Sequence, residues 1–217
     1  MLDQKRFLFR FKFPCAYLGV GESLGESYRL PDVSLLESSE VGVSGGGDVD
    51  FRVGWNERGF AVAAKITSKK QSLWCRAVSP NESDGVQICL DTRDLKTVHR
   101  ATQFCHRLVF LPMVSDAGRS EPSAFWLPIH RAKLHPNPID VTKIKLKSKI
   151  FNNGYELSVF IPQEVLTGFE PIEYPSLGFH FVLVDREIGN RYFLVAPPFP
   201  YDQDPSIWGT LELVRNQ

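Results

Sequence analysis

Residues 55–66 read Trp55-Asn56-Glu57-Arg58-Gly59-Phe60-Ala61-Val62-Ala63-Ala64-Lys65-Ile66. The polar stretch closed by Gly59 reads as a tight turn between two strands, with the glycine supplying the positive φ that a hairpin bulge requires. Beyond it, Phe60, Val62, Ala64 and Ile66 recur at every second position with Ala61, Ala63 and Lys65 between them, so one face of the returning strand is buried. The same period recurs along the chain. After the turn Ser83-Asp84-Gly85, Val86, Ile88 and Leu90 share a face opposite Gln87, Cys89 and Asp91. Phe151-Asn152-Asn153-Gly154-Tyr155 carries an Asn-Gly hairpin signal and leads into Tyr155, Leu157, Val159 and Ile161, all inward.

Other segments fit the same reading. Phe7, Phe9, Phe11 and Phe13 line one face of an N-terminal strand that ends at Pro14. Residues 103–111 form a strand that stops at Pro112, and residues 114–138, rich in Pro, Ser and His, form a long excursion or irregular hairpin. Lys143-Ile144-Lys145-Leu146-Lys147 alternates cations with aliphatics, as an exposed edge strand does. Residues 177–185 are nearly all apolar and predict a central strand, and 192–196 and 208–214 supply the last two. Residues 162–167 are a short helical turn, closed by Gly168. Ser44-Gly45-Gly46-Gly47 is a flexible connection too far from any helix start to cradle phosphate. The expectation is an all-β fold, an antiparallel β-sandwich of the jelly-roll or immunoglobulin-like kind, filling residues 1–217 as a single domain without a linker or repeat.

Composition bounds the function. At 217 residues, 43% hydrophobic and 23% charged, the chain can bury a core and is neither disordered nor a coiled coil. Its 25 basic and 25 acidic residues cancel, which removes any global electrostatic argument for nucleic acid or an anionic membrane as partner. No apolar run approaches the roughly 18 residues of a spanning helix. The N-terminus lacks the apolar block of a secretory signal, so the expected location is cytoplasmic. Cys15, Cys75, Cys89 and Cys105 are widely spaced and read as free, mostly buried thiols.

No catalytic set emerges. There is no H-E-x-x-H, phosphate loop or dinucleotide fingerprint, and Ser206 is not on a nucleophile elbow. Asp84, Asp91, Asp94 and Asp185 sit at strand ends, where turns attract aspartate whether or not a pair of them does glycosidase-like chemistry. Cys105 and His106 point to opposite sides of a strand and cannot share an ion, so neither metal nor cofactor is expected. The residue types that remain suit recognition of a polar ligand. Trp74 is the best stacking platform, in a polar loop with Arg76, and Trp126, between Pro122 and Pro128, is a second aromatic. Trp55 and Trp208 belong to the core. Ala61, Ala63, Lys65, Gln87, Cys89, Ser158 and His180 combine small and hydrogen-bonding side chains opposite the aliphatic faces, enough for a shallow groove. Arg100, His106 and Arg107 are placed to hold a carboxylate or phosphate.

Four segments together resemble the family 9 carbohydrate-binding modules and their relatives in the DOMON-like superfamily. They are the Trp55 to Val62 hairpin, Ser83-Asp84-Gly85 through Asp91-Thr92-Arg93, Gly154-Tyr155 through Ile161-Pro162, and Leu177-Gly178-Phe179 through Asp185 followed by Pro205-Ser206-Ile207-Trp208-Gly209. They span residues 49–214 in the family's order. The resemblance implies a non-catalytic sandwich whose ligand is carbohydrate. It also implies a pair of tryptophans around a sugar ring, where this chain has Pro80-Asn81-Glu82 and Tyr192-Phe193 instead. Calcium sites of the family find no matching residues, and where some relatives hold haem through Met and His, the methionine here could only be Met113, the one beyond the initiator. The alternative is an intracellular scaffold or protein-interaction module that uses the sheet edge near 143–147.

Overall fold

The computed structural model describes residues 10–19, 21, 23–30, 35–37, 49–116 and 119–215. Its strands are β1 (Lys12–Tyr17), β2 (Leu35–Glu37), β3 (Val49–Asn56), β4 (Gly59–Ile66), β5 (Gly85–Asp91), β6 (Cys105–Asp116), β7 (Arg119–Trp126), β8 (Lys145–Phe151), β9 (Gly154–Pro162), β10 (Ser176–Val184), β11 (Arg191–Phe193) and β12 (Gly209–Val214). Among the described residues the helical elements are short 3-10 turns, one of them Gln163–Val165 where the helical turn was expected. None is long or apolar enough to cross a membrane.

The strands follow one another in the order β7-β6-β5-β10-β12-β1-β3-β4-β9-β8, with β11 and β2 added beside β10. This ribbon folds back on itself. β1 is the fold line, pairing in parallel with β12 on one side and with β3 on the other, so the sheet is mixed where an antiparallel one was expected. β8 comes to lie beside β6 and β7, which nearly closes a barrel and leaves the Lys-rich strand less of a free edge than its sequence suggests.

The apolar alternation faces inward as expected. Phe60, Val62, Ala64 and Ile66 of β4, Val86, Ile88 and Leu90 of β5, and Tyr155, Leu157, Val159 and Ile161 of β9 are all buried in one cluster. Phe51 of β3 stacks on Phe181 of β10 with ring centres 3.6 Å apart and planes 4° from parallel, joining the two layers. Each such aromatic removes enough surface from water to contribute roughly 1.5–3 kcal/mol, and the ring pair adds about 1 kcal/mol more.

Local details differ from the sequence reading for identifiable reasons. β1 runs through Pro14 because its pairing with β3 starts only at Ala16, so the missing amide falls where β1 has β12 alone as a neighbour. β6 likewise passes Pro112, and a register shift between Leu111 and Val114 absorbs it. The first part of the expected excursion is then the regular partner strand β7. Gly59 is required by close approach: a Cβ there would lie 2.2 Å from the Ile161 carbonyl oxygen, and one at Gly154 would lie 1.9 Å from that of Ile66. Phe7, Phe9 and the Ser44 to Gly47 connection lie outside the described residues.

Candidate functional site

Strand register sorts the polar candidates onto faces. Val182, Gln87, Val109 and Phe125 form one row across β10, β5, β6 and β7, and His180, Cys89 and Arg107 form the next. Both rows point away from the main core, yet Val182, Gln87, Val109, His180 and Cys89 are buried, Cys89 and Val182 in smaller apolar clusters of their own. Only Arg107 and Phe125 of the two rows are partly exposed. Ala61, Ala63, Lys65 and Ser158 lie on the outer face of β4 and β9, in the opposite layer, so the residues grouped from sequence as one groove occupy two surfaces.

On the β5–β7 face, Gln87 and Arg107 are joined. Arg107 donates from a terminal nitrogen to Gln87 Oε1 at 3.1 Å, and Gln87 Nε2 donates to the Asn81 carbonyl at 2.7 Å, so the amide is oriented from both ends. The other terminal nitrogen of Arg107 is 3.7 Å from Asp202. A guanidinium has five N–H donors, and these contacts leave several unspent at a partly exposed position. Beside this pair opens a groove of about 1160 Å³, with Arg76 and Val78 on one bank and Glu121, Ser123 and Phe125 on the other. An aromatic edge, a carboxylate, a hydroxyl and the Arg76 guanidinium line it, a mix that suits a ligand with apolar faces and a polar rim.

The loop that forms the first bank is anchored from below. Asp84, 1% exposed, accepts hydrogen bonds from the Trp74 amide (3.1 Å) and the Arg186 amide (2.9 Å). It also sits 3.4 Å from the buried Lys69 ammonium, which in turn is 2.5 Å from Asp185 Oδ2. Asp185 further accepts the amides of Glu187 and Ile188. Two of the strand-end aspartates therefore do converge, yet around a cation and main-chain donors and away from solvent. They fix the loop and offer no acid-base pair to a substrate. Higher up, Ser83 Oγ accepts the Arg76 amide at 2.8 Å.

The remaining candidates scatter. The Trp74 ring is half-buried and already carries cations, with the Arg76 and Arg186 guanidiniums 4.7 and 4.5 Å from its centre. His180 is fully buried against the Tyr201 ring at 5.0 Å, and desolvation lowers its pKa to about 3. His106 belongs to the inner row opposite Leu90, 3.4 Å from the Thr167 carbonyl, and burial lowers it to about 4. Arg100 is exposed and donates to the Arg131 carbonyl. Trp126 lies opposite Leu108 on the inner side of β7 and packs edge-on to His135, so it does not line the groove. The structure thus joins Gln87 to Arg107, sets Arg76 in the lining of the groove with Trp74 at its flank, buries His180, and leaves Arg100, His106 and Trp126 elsewhere. Lys69, Glu121, Phe125 and Asp202 enter from the structure alone.

One cluster has the composition of a hydrolytic triad without its geometry. Ser206 Oγ and Asp204 Oδ2 both meet the same nitrogen, His99 Nδ1, at 2.9 and 3.2 Å, and Ser206 Oγ donates to Asp204 at 2.6 Å. A relay needs serine and aspartate on different imidazole nitrogens. Asp204 instead caps the 3-10 turn Pro205–Ile207 by accepting the Ser206 amide. The four cysteines are unpaired, and burial pushes the Cys75 thiol up to about 11 and those of Cys89 and Cys105 up to about 12, so they stay protonated. No group of three metal-ligating side chains occurs among the described residues.

Comparison with known proteins places the fold. No family model matches the sequence, and no curated protein matches it. Among the solved structures that match are two of a family 9 carbohydrate-binding module from Caldicellulosiruptor kristjanssonii. The complex with cellotriose aligns at 14% identity and a TM-score of 0.61 over 95% of this chain and 95% of that one. The complex with glucose aligns at 14% identity and a TM-score of 0.60 over 95% and 97%. The fold of this chain is therefore that of a family 9 carbohydrate-binding module, the architecture that its four segments led us to expect.

Proposed function

We propose that this protein binds carbohydrate without transforming it, through the outer face of β5, β6 and β7. The observation that carries the reading is the Gln87–Arg107 pair, oriented from both ends and set beside the groove lined by Arg76, Glu121, Ser123 and Phe125. A pyranose presents an apolar face and a belt of hydroxyls. Phe125 offers the stacking surface, Arg107 and Arg76 donate to ring and hydroxyl oxygens, and Glu121 accepts hydroxyl protons. The solved neighbours hold cellotriose and glucose, which makes these sugars the first probes. A fold alone does not fix a ligand, so the proposal rests on the side chains. The interaction-module alternative finds no support in these neighbours.

Isothermal titration with cellotriose, glucose and a panel of other oligosaccharides tests it. A hydrogen bond to a charged group is worth about 1.5–3 kcal/mol, so Arg107→Met is expected to weaken binding by roughly tenfold or more. Phe125→Ala should produce a comparable loss through stacking. A folded protein that binds no sugar of the panel, or variants that bind as tightly as the parent, would overturn the proposal.

A further inference from the structure

The second outer face, on β4, β8 and β9, gathers cations. Register sets Lys145, Phe160 and Ala61 in one row and Lys147, Ser158 and Ala63 in the next. The two rows floor a trough whose far wall is Leu18, Ser23 and Leu24, and the trough continues past Phe160 to Arg58, Lys143 and Glu164. Among the described residues its lining holds four cations, Arg58, Lys143, Lys145 and Lys147, against one carboxylate, Glu164, which is spent on Lys143 at 3.3 Å. Among the described residues Lys145 and Lys147 have no ion-pair partner, and both are exposed, as is Arg58. The adjoining row is different: there Lys149, Glu156, Lys65 and Asp50 alternate in sign across the sheet. In a chain with no net charge, three cations without an ion-pair partner among the described residues along one trough are a local excess.

We infer that this trough is a second binding surface, and that its ligand is an acidic polysaccharide. Charge complementarity selects an anionic occupant, since unpaired cations lining a concave surface raise the local concentration of anions. The floor selects sugar. Phe160, half-buried between Ala61 and the Lys145 stem, offers a flat aromatic patch, and the small Ala61, Ala63 and Ser158 side chains leave room for a ring to lie on the sheet. Lys145 and Lys147 are two residues apart on one strand, about 7 Å, and so meet anionic groups repeated along an extended chain. The surface shares no residue with the β5–β7 groove, so either can fail without the other.

Binding of polygalacturonate and dextran sulfate, with neutral dextran and polyadenylate as comparators, tests the inference by affinity electrophoresis and titration calorimetry. The expected result is binding to polygalacturonate or dextran sulfate that exceeds binding to dextran by at least about tenfold, and that weakens steadily as salt is raised and the Debye length falls from about 30 Å toward about 3 Å. Preference between those two polymers tells carboxylate from sulfate as the recognised group. The double variant Lys145→Glu, Lys147→Glu should lose this binding while keeping its thermal unfolding midpoint and its affinity for cellotriose. Phe160→Ala should weaken the polysaccharides more than it weakens inorganic sulfate. Absence of binding at low salt, equal binding to dextran, retention by the double variant, or a preference for polyadenylate would each overturn it.

Discussion

His180 and His106 show what single residues cost and secure. Both imidazoles are shut away from water, and desolvation lowers their pKa values from the usual 6.5 to about 3 and about 4. In the unfolded chain they take up protons as pH falls through about 6.5, whereas the folded protein resists until far lower. Stability is therefore whole above that pH and drains away below it, by roughly 3 kcal/mol for each histidine between about pH 6.5 and 4. Urea unfolding of the parent should show a steep fall in stability across this window. His180→Phe and His106→Phe should each make the fall shallower by about that amount, whatever they do at pH 7. A slope unchanged in both variants would mean that the rings are solvated. The same scale explains why Lys69 escaped sequence reasoning: a lysine reads as surface by default, and only the convergence of Asp84 and Asp185 gives it a buried role.

At the scale of strands and turns, alternation was legible and pairing was not. The inward sets of β4, β5 and β9 follow from period two, because one buried face forces an apolar residue at every second position. Nothing local, however, announces that β1 runs parallel between β12 and β3, or that β6 tolerates Pro112 through a register shift. Phe125 is hidden for this reason: a strand that stops at Pro112 leaves its partner looking like an excursion. Gln87 and Arg107 were recognisable as polar residues on outer strand faces, but their contact joins different strands. The hairpin glycine at 154 was found from its Asn-Gly signal, although its necessity comes from a neighbouring strand. Gly154→Ala drives a methyl to within 1.9 Å of the Ile66 carbonyl oxygen, while Gly25→Ala meets nothing within 4 Å. We expect the first to lower the unfolding free energy by about 2–3 kcal/mol and the second to change it by less than about 0.5 kcal/mol. Equal midpoints in urea would show that the hairpin relaxes freely.

Across the whole molecule, two layers packed through Phe51, Phe60, Phe179 and Phe181 present two outer faces of different character. One combines oriented polar side chains with an aromatic-edged groove. The other carries unneutralised lysines over a floor of small residues. The buried carboxylates Asp84 and Asp185 hold Lys69 and main-chain amides in place beneath the first face. Amide chemical-shift mapping during titration with cellotriose tests the central claim most directly. The account predicts saturable shifts gathered on the backbone near Arg76, Val78, Arg107, Glu121, Ser123 and Phe125, with the β4–β9 face silent. Shifts confined to the opposite face, or none at saturating sugar, would contradict it.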